Sequence, residues 1–179
     1  MTVRDYAFQD RLVMSTGLAV NGTLESILLA NIPGAEKVEK AQLSDDKQGT
    51  DAFVYRRDVK PVTVDVKVRE RDPILAYGND DLALEVWSVV EQGKCGWTLD
   101  ARKQTDFILW VFKDTGRWTL VPFPLLCAVF NEHKEEWVGQ YKVATQSSDG
   151  GKWHSQCVFV PRREIWAAIY RRFGGVAKG

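Results

Sequence analysis

Two acids and a lysine are spaced so that they could hold a divalent cation. Asp51 begins one apolar stretch, and Asp65 and Lys67 occupy one parity of the later stretch "VTVDVKVR". Alternate residues of a strand point to the same face, so Asp65 and Lys67 are presented together. Turn residues separate the two stretches, and a hairpin would therefore bring the carboxylates of Asp51 and Asp65 close to each other.

Such a group has the components for hydrolysis of a phosphodiester. Two carboxylates suit Mg²⁺ or Mn²⁺, because a hard cation takes oxygen ligands and keeps several waters. The cation activates a bound water, and a lysine beside it can orient that water or stabilise negative charge. The alternative is a half-buried strand with its valines inward and a solvated charged face. Replacing Asp65 by Asn is expected to preserve or raise stability, because it relieves repulsion between two acids.

The elements that must position these residues follow from hydrophobic periodicity. The apolar run at 106–112 is typical of a strand buried on both faces, and the stretch 82–91 favours a strand. Further strands are predicted near 35–41, in "DAFVYR", "VTVDVKVR", "RWTLVPF" and "WHSQCVFV", and helices at 4–14, from Pro124 onward and at 161–173. The sequence predicts one α/β or α+β domain over residues 1–179, with a central mixed sheet flanked by helices.

The motif "GTD" at 49–51, followed by "VDVKVR" at 64–69, resembles the PD-(D/E)XK nuclease superfamily with its restriction-endonuclease-like fold. Through "LALEVWS", "GW", "KQTDFILWVF" and "RWTLVPFPLL" the chain is similar to a phage- or plasmid-type subgroup. The resemblance implies an endonuclease that cleaves DNA with Mg²⁺. It also implies that Asp51 is the first acid, Asp65 the second, and Lys67 the lysine of the motif.

Several acids remain open as additional site residues. The superfamily often adds an acid from the first helix, and Asp5, Asp10 and Glu25 all qualify. Glu85 is a further candidate catalytic acid, or it pairs with a basic residue inside the fold. The chain departs from the family pattern in having Thr50 where a proline precedes the first acid.

Basic residues near two predicted elements are candidates for contact with nucleic acid. Lys103 precedes the buried strand and either meets phosphate or belongs to a solvated loop. Four arginines lie at the ends of the predicted C-terminal helix: Arg162, Arg163, Arg171 and Arg172. Arginine forks suit phosphate. Between them, Ile165, Trp166, Ile169 and Tyr170 are expected to form one apolar stripe against the sheet.

Charge and composition limit the partners. The chain has 24 Lys and Arg against 24 Asp and Glu, a net charge of zero that argues against strong non-specific binding of polyanions. Residues 150–179 carry six bases and one acid, so the basic end has a net charge of +5. No apolar run reaches the ~18 residues of a membrane helix, and the N-terminus lacks a signal-peptide core. We therefore expect a cytoplasmic protein.

Two functional classes remain at this point. The first is a metal-dependent endonuclease whose partners are DNA and a second copy of the chain, since nucleases that cut both strands are often dimers. The second is a non-catalytic accessory protein on the same fold that binds nucleic acid or protein. The zero net charge and seven tryptophans motivate the second class.

Overall fold

The computed structural model describes residues 22–41, 49–100, 102–148 and 151–174. Within these ranges it has four α-helices, nine β-strands and two short 3-10 helices, so the predicted mixed α/β fold is confirmed. The chain divides into two compact units, and the described residues of 22–72 and 102–124 belong to one of them. The prediction of one domain over 1–179 is not tested by this division. The helix predicted at 4–14 lies outside the described residues.

The unit that contains Asp51, Asp65 and Lys67 is built on a mixed five-stranded sheet in the order β1-β2-β3-β6-β7. Strand β3 runs parallel to β6, and the other neighbours are antiparallel. The elements of this unit are helix α1 (Gly22–Asn31) and strands β1 (Ala35–Lys40), β2 (Ala52–Arg56), β3 (Val59–Arg69), β6 (Phe107–Phe112) and β7 (Trp118–Pro122).

The hairpin of β2 and β3 sets the register of the acidic residues. Val54 pairs with Val62 and Ala52 with Val64. Its turn contains Asp58 at a φ of 55°, a left-handed conformation that Asp tolerates better than most side chains. Val62, Val64, Val66 and Val68 face the core as the alternation predicts. A shift of the register by one residue would turn all four to the other face.

A buried core fixes the position of this sheet. Strand β6 is buried from Ile108 to Phe112, which confirms the predicted strand with two covered faces. Apolar side chains of helix α1 pack on one face of the sheet and cover β2 and β3. The buried members of this cluster are Leu24, Ile27, Leu28, Ile32, Ala52, Val54, Val62, Val64, Val66, Leu109 and Val111. Strand β3 is therefore covered on one face by helix α1 and paired on its two sides with β2 and β6.

The other unit has an antiparallel sheet in the order β5-β4-β9-β8. Its elements are α2 (Pro73–Tyr77), β4 (Asp81–Val89), β5 (Lys94–Cys95), the greater part of α3 (Phe123–Gln140), β8 (Val143–Ser148), β9 (Trp153–Pro161) and α4 (Arg162–Phe173). The sequence analysis missed β8, a polar strand at the sheet edge. None of the helices in the described ranges has the length and apolar character to cross a membrane.

Helix α4 confirms the predicted C-terminal helix but corrects its apolar stripe. Ile165, Ala168 and Ile169 are buried. Tyr170 is 69% exposed, and its ring lies 6.4 Å from that of Trp166. The buried face is therefore narrower than predicted, because the row of Ile165 and Ile169 and the row of Trp166 and Tyr170 are offset by one residue, about 100° around the helix.

Candidate active site

The register of the hairpin sets Asp51 opposite Asp65. The Asp51 amide donates to the carbonyl of Val64 at 2.9 Å, which extends the β2–β3 ladder by one residue beyond Ala52. The Val66 amide donates to Asp51 Oδ2 at 2.6 Å and fixes the carboxyl over β3. The Asp51 carboxyl therefore lies beside residue 65, close enough for the charge of Asp65 to raise the pKa of Asp51. The two predicted acids therefore converge.

Asp65 is a buried carboxylate held by two lysines. It is only 2% exposed. Lys67 Nζ lies 2.8 Å from Asp65 Oδ2, and Lys103 Nζ lies 2.5 Å from the same oxygen. The interpretation of this strand face as a solvated charged surface is therefore wrong, because the charges pair with one another instead of with bulk water.

A short segment before β6 brings Lys103 to Asp65. The hydroxyl of Thr50 donates to the carbonyl of Gln104 at 3.0 Å, and that of Thr105 donates to the carbonyl of Gly49 at 2.5 Å. Lys103 Nζ also donates to the carbonyl of Gly49, at 3.3 Å. These bonds attach the segment to the residues that precede Asp51.

Lys103 is the site residue whose position the sequence left open. Its side chain is 7% exposed, so the interpretation as a solvated loop is wrong. The ring of Phe123 lies 5.7 Å from its ammonium group. The sequence signal for this position is weak, since it consists only of a lysine shortly before a buried strand. The parallel pairing of β3 with β6, which is a tertiary feature, brings it to Asp65.

The two acids titrate differently because their neighbours differ. Burial and the adjacent charge of Asp65 raise the pKa of Asp51 to about 7, against the opposing effects of the Val66 amide and Lys67. Burial alone would raise the pKa of Asp65, but Lys67 and Lys103 lower it below its ordinary value. The pair thus holds one negative charge firmly and a proton near neutral pH, as two like charges in contact require.

The lysines respond to the same surroundings in opposite directions. Burial would lower the pKa of Lys67, but Asp65 and Asp51 raise it above its ordinary value. Burial lowers the pKa of Lys103 in spite of the attraction of Asp65. We conclude that Lys67 is the more firmly charged of the two ammonium groups.

The donors present fit a hard divalent cation. Mg²⁺ is commonly held by one or two carboxylates and completes its shell with water and substrate phosphate. Asp51 and Asp65 supply two carboxylates whose mutual repulsion a cation would relieve. Among the described residues no third acid, histidine or cysteine joins them in a cluster. Of the N-terminal candidates, Glu25 is exposed on α1, and Asp5 and Asp10 lie outside the described residues.

Glu85 has a structural contact in the unit that contains β4. Its Oε2 accepts a hydrogen bond from the Trp97 amide at 3.0 Å, at the start of the 3-10 helix Trp97–Leu99. Gly96 lies against the Glu85 backbone, and a side chain at position 96 would clash with the Glu85 carbonyl. The catalytic role predicted for Glu85 stays a prediction.

The four arginines of the C-terminal helix have different surroundings. Arg162 pairs with Asp80 at 2.7 Å. Arg172 pairs with Glu132 at 2.7 Å and donates to the carbonyl of Ala128. Arg163 contacts Glu164 with a side chain that is 85% exposed, and Arg171 is exposed. Arg163 and Arg171 are therefore the pair whose reversal would disturb the fold least.

No family model matches the chain, and neither a curated protein nor a solved structure matches it at a significant level. Functional inference therefore rests on the contacts among Asp51, Asp65, Lys67 and Lys103.

Proposed function

We propose that this protein is a Mg²⁺- or Mn²⁺-dependent endonuclease that hydrolyses phosphodiester bonds of DNA. The observation that carries the proposal is the placement of Asp51 beside Asp65 and Lys67, fixed by the backbone contacts of Asp51 with Val64 and Val66 on strand β3. We further propose that the protein is a member of the PD-(D/E)XK superfamily and of its phage- or plasmid-type subgroup. We also propose that it is cytoplasmic and that it acts as a homodimer that cuts both strands.

Asp51 and Asp65 would hold the cation, which when bound supplies an acidified water and compensation for phosphate charge. Each of the two aspartates has a distinct role at the site. Asp65 is the firmly charged ligand, since its pKa is held low by the lysines. Asp51 carries a proton near neutral pH in the metal-free protein, and that proton leaves when the carboxylate takes a cation.

Lys67 is the residue that acts on the reacting atoms. Its ammonium group is fixed beside Asp65 by a contact of 2.8 Å and by the stiffness of β3. From there it can donate to the attacking water or to a phosphate oxygen as negative charge develops. Its raised pKa keeps it a donor over the neutral range.

The arginines support a role in holding DNA. Arg163 and Arg171 project from α4 and can meet backbone phosphates without reading bases. The basic end of the chain, with its net charge of +5, supports the same role.

The test is cleavage of plasmid, single-stranded and branched DNA with Mg²⁺, Mn²⁺ or EDTA. The parent should cut at least one substrate only with metal. Asp51→Asn should lower that rate by about 10³-fold, as the loss of a central charged group does. Asp58→Asn is the matched control: it removes an exposed carboxylate from the same hairpin at a φ of 55° that Asn tolerates, so its rate should equal the parent's.

The absence of metal-dependent cleavage of all three substrates would refute the proposal. Carboxylates that point apart, with Lys67 in solvent, would favour the alternative, a non-catalytic binding module. The contact of Lys67 with Asp65 at 2.8 Å, with a side chain that is 23% exposed, supports the nuclease instead.

A further inference from the structure

Lys103 reaches Asp65 through a passage that only glycine leaves open. Gly49 has a φ of +84°, and a Cβ at this position would collide with Lys103 Nζ. The ammonium group lies against the Gly49 backbone and donates a hydrogen bond to the Gly49 carbonyl oxygen. The same oxygen accepts a hydrogen bond from the Thr105 hydroxyl. Its side chain is 7% exposed. The contact with Asp65 is therefore a built feature of the fold.

The two lysines that contact Asp65 are attached differently. Lys67 lies on the same strand, two residues from Asp65, so the strand pleat keeps its side chain on the face of that carboxyl. Lys103 Nζ donates to the Gly49 carbonyl at 3.3 Å as well as to Asp65, so it keeps an acceptor when Asp65 takes another partner. Lys103 comes from the segment before β6 on a four-carbon stem, and its ammonium group can move while the segment stays bonded to Gly49 and Thr50. Of the two cations on this oxygen, Lys103 is the one that can be displaced.

The charges of the site indicate when the Lys103 ammonium group would move away from Asp65. Asp51 and Asp65 with Lys67 and Lys103 sum to zero when all four are ionised. A divalent cation added to the carboxylates would put three cationic groups around Asp65, two of them on one oxygen, in a partly buried site where like charges repel strongly.

We propose that Lys103 is an internal counter-cation that competes with the divalent metal for Asp65, so that metal binding displaces its ammonium group. This inference rests on the proposed function, because it assumes that Asp51 and Asp65 take a metal. It adds a means of regulating metal binding at that site. The metal-free protein is stabilised by the contact of Lys103 with Asp65, and the metal binds only at concentrations high enough to displace Lys103.

The experiment is calorimetric titration of the full chain with Mn²⁺, without nucleic acid. Lys103→Met keeps the unbranched stem and removes the charge. It should tighten Mn²⁺ binding by about tenfold, a typical coupling between two ligands of one site. Lys113→Met is the matched control, since Lys113 follows the end of β6, pairs with Glu70 at 2.7 Å and does not contact the acidic pair. It should bind Mn²⁺ like the parent.

Unchanged or weaker Mn²⁺ binding by a folded Lys103→Met would overturn the inference, because the lysine would then be neutral toward the metal or would support its ligands. If that variant does not fold, the parent still decides. The NMR signal of the Lys103 ammonium group, assigned with Lys103→Arg, should shift at saturating Mg²⁺ as its bond to Asp65 breaks. A signal that stays in place while the Asp65 carboxyl signal moves would contradict displacement.

These outcomes separate the inference from the proposed function. Tighter metal binding by Lys103→Met without cleavage by the parent supports the inference and counts against the nuclease. Metal-dependent cleavage with no tightening rejects only the inference. If neither protein binds Mn²⁺, both proposals fail.

Discussion

Asp65 and Asp72 are two aspartates of one sheet unit that are equally buried, at 2% exposure each, and satisfied in different ways. Asp72 follows the end of β3 and receives Arg117 as a fork, with Nε at 2.6 Å from one carboxylate oxygen and Nη2 at 2.8 Å from the other. The hydroxyl of Thr115 adds a third donor at 3.0 Å. Its charge is matched by a planar partner that fits both oxygens.

Asp65 has no such fork. Two flexible ammonium groups meet on one of its oxygens, and a second acid lies beside it. A lysine is a point charge that exchanges partners more easily than a bidentate arginine does. Burial alone therefore does not mark a functional carboxylate. A buried acid is a candidate ligand when its partners are displaceable and a like charge is kept close.

The largest expected effect tests the structural member of this pair. Asp72→Asn should lower the free energy of unfolding by about 3 kcal/mol, because the guanidinium of Arg117 loses a carboxylate in a partly buried position. Urea unfolding at pH 7 measures it. A loss below that of the exposed control Asp58→Asn would mean that the fork contributes little.

Asp65→Asn should have a smaller cost, about 1–2 kcal/mol, because Lys67 and Lys103 keep Asp51 as a partner. This revises the expectation from sequence that stability is preserved or raised, which overlooked the second lysine. The same urea series measures it. Equal losses for Asp65→Asn and Asp72→Asn would remove the energetic distinction between the two aspartates.

Glycine substitutions sharpen the role of the Lys103 contact. Gly34 and Gly49 both have positive φ, at +74° and +84°, but a Cβ at Gly34 meets no atom within 4 Å. Gly34→Ala should therefore cost only the backbone strain, about 1 kcal/mol. Gly49→Ala should cost more by thermal unfolding and should tighten Mn²⁺ binding, because it expels Lys103. Identical results for the two variants would show that Lys103 adjusts at no cost.

The smallest expected effect is a pH dependence of stability at the Asp51–Asp65 pair. The folded-state pKa of Asp51, about 7, is above its unfolded value of 3.8. The protonated form is thus favoured by folding, and its stabilising effect is complete below about pH 4 and lost as the pH rises through 7.

Asp51→Asn, which cannot ionise, should match the parent near pH 4 and exceed its stability at pH 8. The gain should be about 1 kcal/mol, since solvent screens this half-buried carboxyl. Denaturant unfolding at the two pH values measures it. The same gain at both pH values would place its cause outside the ionisation of Asp51.

Local patterns in the sequence predicted most of the strands, though not β8, and the approach of Asp51 to Asp65. The alternation around Asp65 and Lys67 set which residues share a face, since a strand has a period of two. The hairpin then had to bring Asp51 back to Asp65, because the turn between them is local. The run 106–112 predicted a doubly buried strand for the same reason: its pattern is contained in consecutive residues.

The surroundings of that pair follow from tertiary contacts. The charged face of β3 looks solvated in sequence, but Asp65 on that face is buried. The segment before β6 bonds to Gly49 and Thr50 and brings Lys103 to it. The separation of Lys103 from Asp65 by 38 positions carries no local signal. The long-range parallel pairing of β3 with β6 is what places Lys103 beside Asp65. Periodicity within one strand cannot encode which distant segment lies alongside it.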